Sequence, residues 1–493
     1  MWNWGRCAHC RAGFAGRQWG VSHAVYLSGP QNPSVCRRAQ IYLSPMATNT
    51  ELKRELGPLM LWGLGVGYVI SGMYFGWNLG LPEAGPYGML LATVMVTIMY
   101  VTFTLSYSEL ACAIPKAGGV FVYADRALGR NLGFLGGVAQ IVEFVFAPPA
   151  IAAAIGAYLN IKFPEVDVWI FAVGAYVLFT GLNIWGVKLS AIFELIVTVL
   201  AVIELLIFAG VTGPHFSFEA FSRNPLPNGW GGAFAAIPFA IWFYLAIEGL
   251  ANVAEETHNP QRNISIGFGS AMGTLVMLAF LTFFCSVGVN GWETVVFEPG
   301  SSELSDSPLP LAMGHLVGRD SFLFALLINV GLLGLIASFH GIILVAGRAT
   351  FEFGRVGYAP KFLGRTHPTR KTPAAALVLN MLVGFGALLS GRTGDIITMA
   401  VFGALTLYVV SMLALFALRR KEPELERPYL APWYPLVPGV ALALALLSLV
   451  ALAYQNQKVA LLYGGILGMA FAWFVFMVPG TDRQAEPISG SGS

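Results

Sequence analysis

A glutamate, Glu248, stands midway along an apolar run long enough to cross a membrane, in IWFYLAIEGLANVAEETHNPQR, residues 241 to 262. A carboxylate at bilayer depth costs about 2.5 kcal/mol or more on insertion scales, so such a group faces a water-filled cavity or a partner. A second acid, Glu143, holds the same kind of position in AQIVEFVFAPPAI. Three roles suit a buried acid of this sort: ligand to a cation, carrier of a proton, or brace for a helix whose amides have come free. The residue types alone leave all three open.

The elements that would position these acids follow from composition. Of 493 residues, 56% are hydrophobic and 11% charged, and the mean hydropathy is +0.68. A soluble globular domain carries about 25% charged residues, so the chain reads as an all-α integral membrane protein. About twelve apolar runs have the length needed to span the hydrocarbon core. They fall at 58–80, 88–112, 132–158, 167–187, 189–211, 234–256, 265–290, 321–350, 373–391, 393–418, 433–454 and 459–478. The even-numbered connections hold fifteen Lys and Arg, among them Lys116, Lys188, Arg348 and Arg419, against five in the odd ones. The positive-inside bias then places both termini in the cytoplasm. The net charge of +2 serves topology, and no basic cluster resembles a nucleic-acid site.

Two spans are poor candidates for unbroken helix. The first carries Gly63, Gly65, Gly67, Gly72, Gly76 and Gly80, and the sixth sets Gly249 beside Glu248. Each glycine weakens a helix by about 1 kcal/mol relative to alanine. If spans 1 to 5 and 6 to 10 form two repeats of opposite topology, the interrupted spans take the first place in each, which is the sequence pointer to a transporter's binding site. Residues 58–418 would form that core, and 433–478 would add two further helices.

Residues 1–45 have no apolar core of a signal peptide and read as a disordered or mis-started extension, with Met46 an alternative start and 46–57 a cytoplasmic lead-in. Residues 479–493 read as a polar tail. The five cysteines, Cys7, Cys10, Cys36, Cys112 and Cys285, make no disulfide framework, and the CAHC at 7–10 has no second ligand pair. No phosphate-binding loop is present, nor a set of nucleophiles, metal ligands or acids that would make a membrane enzyme. No cofactor is expected.

Several stretches together resemble the amino acid, polyamine and organocation permease superfamily. They are the glycine-rich first span, YSELACAIPKAGGVFVYADRALGRNLGFLGG (107–137), EGLANVAEETHNPQRNI, and GRATFEFGRVGYAPKFLGRTHPTRKTPAAAL (347–377). GVGYVISGMYFGWNLGL, EFVFAPPAIAAAIGAY and YLAIEGLANVAEET are most similar to the bacterial ethanolamine permeases. The resemblance implies a twelve-helix carrier of the inner membrane with a LeuT-like inverted five-helix repeat and discontinuous helices 1 and 6. It also implies inward movement of ethanolamine by alternating access, with a coupling proton or sodium ion. The runner-up is a permease for small or cationic amino acids.

Many amino-acid permeases place a Gly-x-Gly in span 1 whose free amides hold the substrate carboxylate. Here ISGMYF puts Met73 where the second glycine would be. Ethanolamine, an ammonium with a hydroxyl, needs no such cradle. Its ammonium would be held, beside Gly72, by carbonyls near Val69, Ile70, Ser71, Tyr244 and Ala246, by the aromatic faces of Tyr74, Phe75, Trp242, Phe243 and Tyr244, and by Glu143 or Glu248. Cation–π attraction adds about 0.5 to 2 kcal/mol. Glu255 and Glu256 read as inner-gate groups pairing with Arg262 or another loop base. His340 reads as a packing histidine or a proton relay, and Asn78 and Asn252 as hydroxyl partners or interhelical links. The lysine that some relatives carry in span 5 is absent, leaving Glu194 and Glu204 there. Oligomeric state has no sequence signature.

Overall fold

The computed structural model describes residues 54–116, 118–185, 190–298 and 300–478. The N-terminal extension, the CAHC motif, Met46, Lys188 and the 479–493 tail lie outside them. Among the described residues the chain is helical, with two isolated β-bridges, Leu56 to Thr257 and Phe297 to Leu304.

The principal helices are α1 (Pro58–Val69), α2 (Ser71–Tyr74), α3 (Leu81–Ala113), α4 (Val120–Leu128), α5 (Arg130–Lys162), α6 (Val168–Trp185), α7 (Ser190–Thr212), α8 (Ile237–Trp242), α9 (Pro260–Asn290), α10 (Phe322–Val356), α11 (Ala374–Leu388), α12 (Thr393–Lys421), α13 (Leu436–Gln455) and α14 (Gln457–Met477). Ten segments among the described residues are long and apolar enough to cross a membrane, while α1 and α11 are apolar but shorter. The sequence-derived spans 1 and 9 are the two that fall short. Several helices outrun their expected ends; α10 reaches Val356, so Arg348 and Arg355 sit on its last turns rather than in a loop.

Helix α5 is the central post, packing along α12, α10, α4 and α6. Gly403 of α12 lets the backbones close up, since a Cβ there would meet the Glu143 amide nitrogen at 2.7 Å. Outer helices present apolar side chains instead: Leu461, Met469 and Phe476 of α14 are exposed. Lipid tails satisfy such a surface, whereas water would not.

Both glycine-marked spans are broken. In the first, α1 continues through Ile70, whose amide bonds the Val66 carbonyl at 2.8 Å, into α2. The chain leaves helix at Phe75, which is extended, and Gly76, whose φ is +89°. The break therefore lies several residues beyond Val69–Ser71, where freed carbonyls were expected. Glycine explains the location, because φ near +90° is open to it and strained for other residues. In the sixth, α8 starts on a favourable proline, Pro238, and ends at Trp242. Ala246 then takes a left-handed conformation with φ +78° before a 3₁₀ segment, Ile247–Glu256. A non-glycine residue there carries a local cost of about 1 kcal/mol or more, held in place by the packing around it.

At one end of the bundle the two broken spans are tied together. The Glu55 and Leu56 amides donate to the Glu256 carbonyl at 2.9 and 3.0 Å, and the His258 amide donates back to the Leu56 carbonyl. Arg348 pairs with Glu256 at this end, and other basic residues hold buried acids. There Glu109, on the last turns of α3, takes a bidentate pair from Arg419 of α12 at 2.8 and 2.6 Å and a third bond from the Ala431 amide. At the opposite end Asn78 donates to the carbonyls of Val295 and Ser305, docking the 291–307 connection over the break in the first span.

Candidate functional site

The breaks in spans one and six cross at contact distance. A Cβ on Gly72 would stand 2.2 Å from the Trp242 carbonyl oxygen, so only glycine fits. The Trp242 ring in turn covers Gly76 and meets Phe75 edge to face at 5.4 Å. Its indole nitrogen is buried with no hydrogen-bond acceptor. Beside this crossing lies a crevice with no room for a water molecule, lined by Tyr68, Val69, Ser71, Ala147, Ile151, Trp242, Leu245 and Ile342. Ligand pockets run from about 300 Å³ upward, so the crevice would have to widen to admit a ligand.

The crevice contains three of the expected residues, Val69, Ser71 and Trp242, and adds several that were not foreseen. Ala147 and Ile151 follow Glu143 at i+4 and i+8, one face of α5; extending the helical period from Glu143 would have found them. Ser71 donates its hydroxyl to Ser338 of α10, which donates in turn to the Tyr68 carbonyl.

One turn along α5 from the crevice are the two acids. Glu143 and Glu248 are both buried, and their carboxyl groups face one another. Glu248 accepts a hydrogen bond from the Tyr408 hydroxyl at 3.0 Å, and Tyr408 is bonded in turn to Tyr100 at 2.8 Å. The groups nearest the Glu143 carboxyl are the Ala246 amide and the Glu248 carboxyl, and neither Glu143 oxygen makes a hydrogen bond of good geometry. Burying a carboxyl without a donor is costly, so the pair is a place where a cation or a proton finds a ready partner. Tyr100 and Tyr408 come from α3 and α12, far from Glu248 in sequence, and nothing local announces them.

Other expected residues are placed elsewhere. Tyr74 turns away from the crevice: its hydroxyl donates to Glu204 of α7 at 2.6 Å, and its ring packs on Tyr158. It is no wall of the crevice, because Gly331 and Gly334 of α10 leave the ring a slot on the far side. Ile70 is buried inside the continuous part of the first span. The Tyr244 hydroxyl bonds Thr97 at 2.7 Å, with its ring against Tyr100. Glu256 pairs with Arg348 at 2.8 Å, not with Arg262, whose side chain is exposed on α9. Helix α10, longer than the apolar run suggested, brings Arg348 there. Glu255 lies near Glu352 of α10. Asn252 links to Gln140, and His340 bonds Asn183.

Two broken spans that cross near a buried acid pair, within a bundle of membrane-length helices, define a multi-pass membrane protein, and its relatives make it a transporter rather than an enzyme. Residues 56–479 match the family of amino acid permeases, and the chain belongs to that family. An uncharacterized transporter of Rhizobium meliloti is 28% identical over 88% of this chain and 94% of its own length. The branched-chain amino acid permease BcaP of Bacillus subtilis is 26% identical over 85% of this chain and 93% of its own. The low-affinity putrescine importer PlaP of Escherichia coli is 24% identical, covering 77% and 85%.

Proposed function

We propose that this permease is a secondary carrier that imports ethanolamine, a small organic cation, across a bacterial inner membrane by alternating access. The observation that carries the reading is the Glu143–Glu248 pair: two buried carboxyls facing one another, with no hydrogen bond of good geometry to either Glu143 oxygen. An ammonium entering between the broken spans would supply the missing donors. The polar atom that Gly72 meets is the Trp242 carbonyl oxygen, which suits a cation rather than a substrate carboxylate. Trp242 and Phe75 offer aromatic faces, and Ser71 a partner for the alcohol. The narrow crevice fits a substrate-free, closed state, in which Val69, Ser71 and Trp242 lie ready and the acids join once the crevice widens. Under this reading the two short apolar helices, α1 with its continuation and α11, complete twelve spans. Residues 58–418 form the inverted five-helix repeat, α13 and α14 are appended, and both termini are cytoplasmic. Glu255, Glu256 and Arg348 then belong to the inner gate, with Arg262 on its rim, and a proton or sodium gradient drives uptake.

A second reading, a permease for small or cationic amino acids, is favoured by the names of relatives such as the branched-chain amino acid permease. Uptake of labelled ethanolamine into proteoliposomes, challenged with excess amino acids, separates the two. Uptake that resists alanine, serine and lysine supports the ethanolamine reading; robust amino-acid uptake without ethanolamine uptake overturns it and leaves the carrier intact.

A further inference from the structure

Between α10 and α11 the chain carries four exposed bases, Lys361, Arg365, Arg370 and Lys371, and no acid occurs anywhere from residue 353 to residue 394. Among the described residues none of the four forms an ion pair, although bases just before them do: Arg348 is taken by Glu256 and Arg355 by Glu352. The charge of this loop is therefore left for something outside the chain.

The loop is fixed at both ends. Gly354, near the end of α10, packs so closely on Gly364 that a Cβ on it would lie 2.2 Å from the Gly364 amide nitrogen, and Leu363 beside it is buried. At the other end the Thr372 hydroxyl donates to the Ile184 carbonyl of α6 at 2.8 Å. Between these anchors a turn closes, with the His367 amide donating to the Thr372 carbonyl at 2.8 Å and the Lys371 amide to the His367 carbonyl at 3.0 Å. Arg370 leaves this turn over Trp185, the last residue of α6, its guanidinium carbon 4.5 Å from the ring centroid. Trp185 is 71% exposed, and a tryptophan ending an apolar membrane helix belongs at the level of the lipid headgroups. From there into the membrane α6 and α11 pack side by side and present Leu178, Leu182, Val378 and Leu382 outward. An apolar lane thus runs directly up to uncompensated bases.

We propose that the adjoining ends of α6 and α11, with the loop from Lys361 to Lys371, bind an anionic glycerophospholipid. Its phosphate meets Arg370 and Lys371 beside Trp185, Lys361 and Arg365 add charge, and its acyl chains lie along the apolar lane. Bases at a membrane surface attract anionic headgroups, and a guanidinium fork matches phosphate oxygens. A zwitterionic headgroup would bring a cation of its own to the same bases. Free phosphate or an acidic soluble protein would match the charge and leave the lane unused. One such lipid would touch the loop after α10, the start of α11 and the end of α6, and so hold the three together.

The inference rests on the chain spanning a membrane and not on the cargo it carries. The test uses the full chain in detergent, titrated with phosphatidylglycerol or phosphatidylcholine and read by native mass spectrometry. Phosphatidylglycerol should bind at least about tenfold more tightly. A chain carrying both Arg370→Gln and Lys371→Gln should lose at least about tenfold of that affinity, whereas Arg420→Gln, at an exposed base on the last turn of α12, should stay within about twofold of wild type. A photoreactive phosphatidylglycerol should label α6 or the first half of α11. If the double variant does not fold, Lys361→Gln with Arg365→Gln carries the test and should weaken binding about fivefold. Equal affinity for the two lipids, undiminished binding in the substituted chain, labelling confined to other helices, or tighter binding of inorganic phosphate or a polyglutamate peptide than of the lipid would each overturn the assignment.

Discussion

The Cβ position of Gly72 falls 2.2 Å from the carbonyl oxygen of Trp242, so the first span, just before its break, meets the end of the sixth-span helix backbone to backbone. Atoms cannot occupy that separation, and the atom opposed is main chain, which cannot rotate aside. Gly72→Ala should therefore push the two breaks apart and abolish uptake while leaving a membrane-inserted chain. Uptake assays beside size-exclusion profiles in detergent check this; wild-type transport in the variant would show that the spans can separate at little cost.

The hydroxyl of Tyr408 is the donor that Glu248 has, and Tyr100 supports it from behind. Tyr408→Phe removes the donor and leaves the buried carboxyl unsatisfied, a loss of about 1 to 3 kcal/mol. Thermal unfolding in detergent should register it. Transport should fall further in Tyr408→Phe than in Tyr100→Phe, which leaves the direct bond in place.

Glu109 is 1% exposed on its side chain and holds Arg419 at 2.6 Å, with Arg427 at 3.4 Å and the Ala431 amide as further partners. Removing one member of a buried pair strands the other, typically at about 3 kcal/mol or more. Glu109→Ala should lower the melting temperature clearly, and Arg126→Ala should not, since the Arg126–Glu422 pair is about one-third exposed on both sides and exposed pairs contribute about 0 to 1 kcal/mol.

Asp306 in the long connection before α10 accepts a hydrogen bond from Thr393 at 2.8 Å, yet burial and the nearby Glu298 push its carboxyl up to about 6. The folded form thus holds a proton that the unfolded form, near the usual aspartate value, has already lost. Its contribution is complete below the ordinary aspartate pKa and disappears as pH rises through about 6. Amide protection factors in residues 300–308, corrected for the intrinsic pH dependence of exchange, should be higher at about pH 5 than at about pH 7.5. Asp306→Asn should flatten that dependence, and an equal slope in both proteins would remove Asp306 as its source.

The broken spans were legible because their signals are local: glycines crowd the first, and an acid sits beside glycine in the sixth. The places of the breaks were less so. Gly76 ends the helix of the first span, whereas Ile70 continues it, and a run of six glycines does not say which of them takes a positive φ. Glu143 and Glu248 were legible as acids in apolar surroundings. Their contact was not, because it joins α5 to the sixth span, segments about a hundred residues apart, through packing that no local pattern records. Tyr74 illustrates the opposite failure: it stands among the right residues in sequence, but helical rotation carries its hydroxyl to Glu204. Arg348 stood among the bases open to Glu256 but could not be singled out, because the pairing depends on how α10 packs beside the end of the sixth span.

The most direct test of the central claim is equilibrium binding of labelled ethanolamine to purified wild type and Glu143→Gln, both shown to be folded by their elution profiles. If the acid pair receives the ammonium, the neutral variant should bind at least about tenfold more weakly, the equivalent of about 1.4 kcal/mol. Unchanged affinity in Glu143→Gln would contradict the account and leave the pair as a structural or proton-linked feature of the sixth-span break.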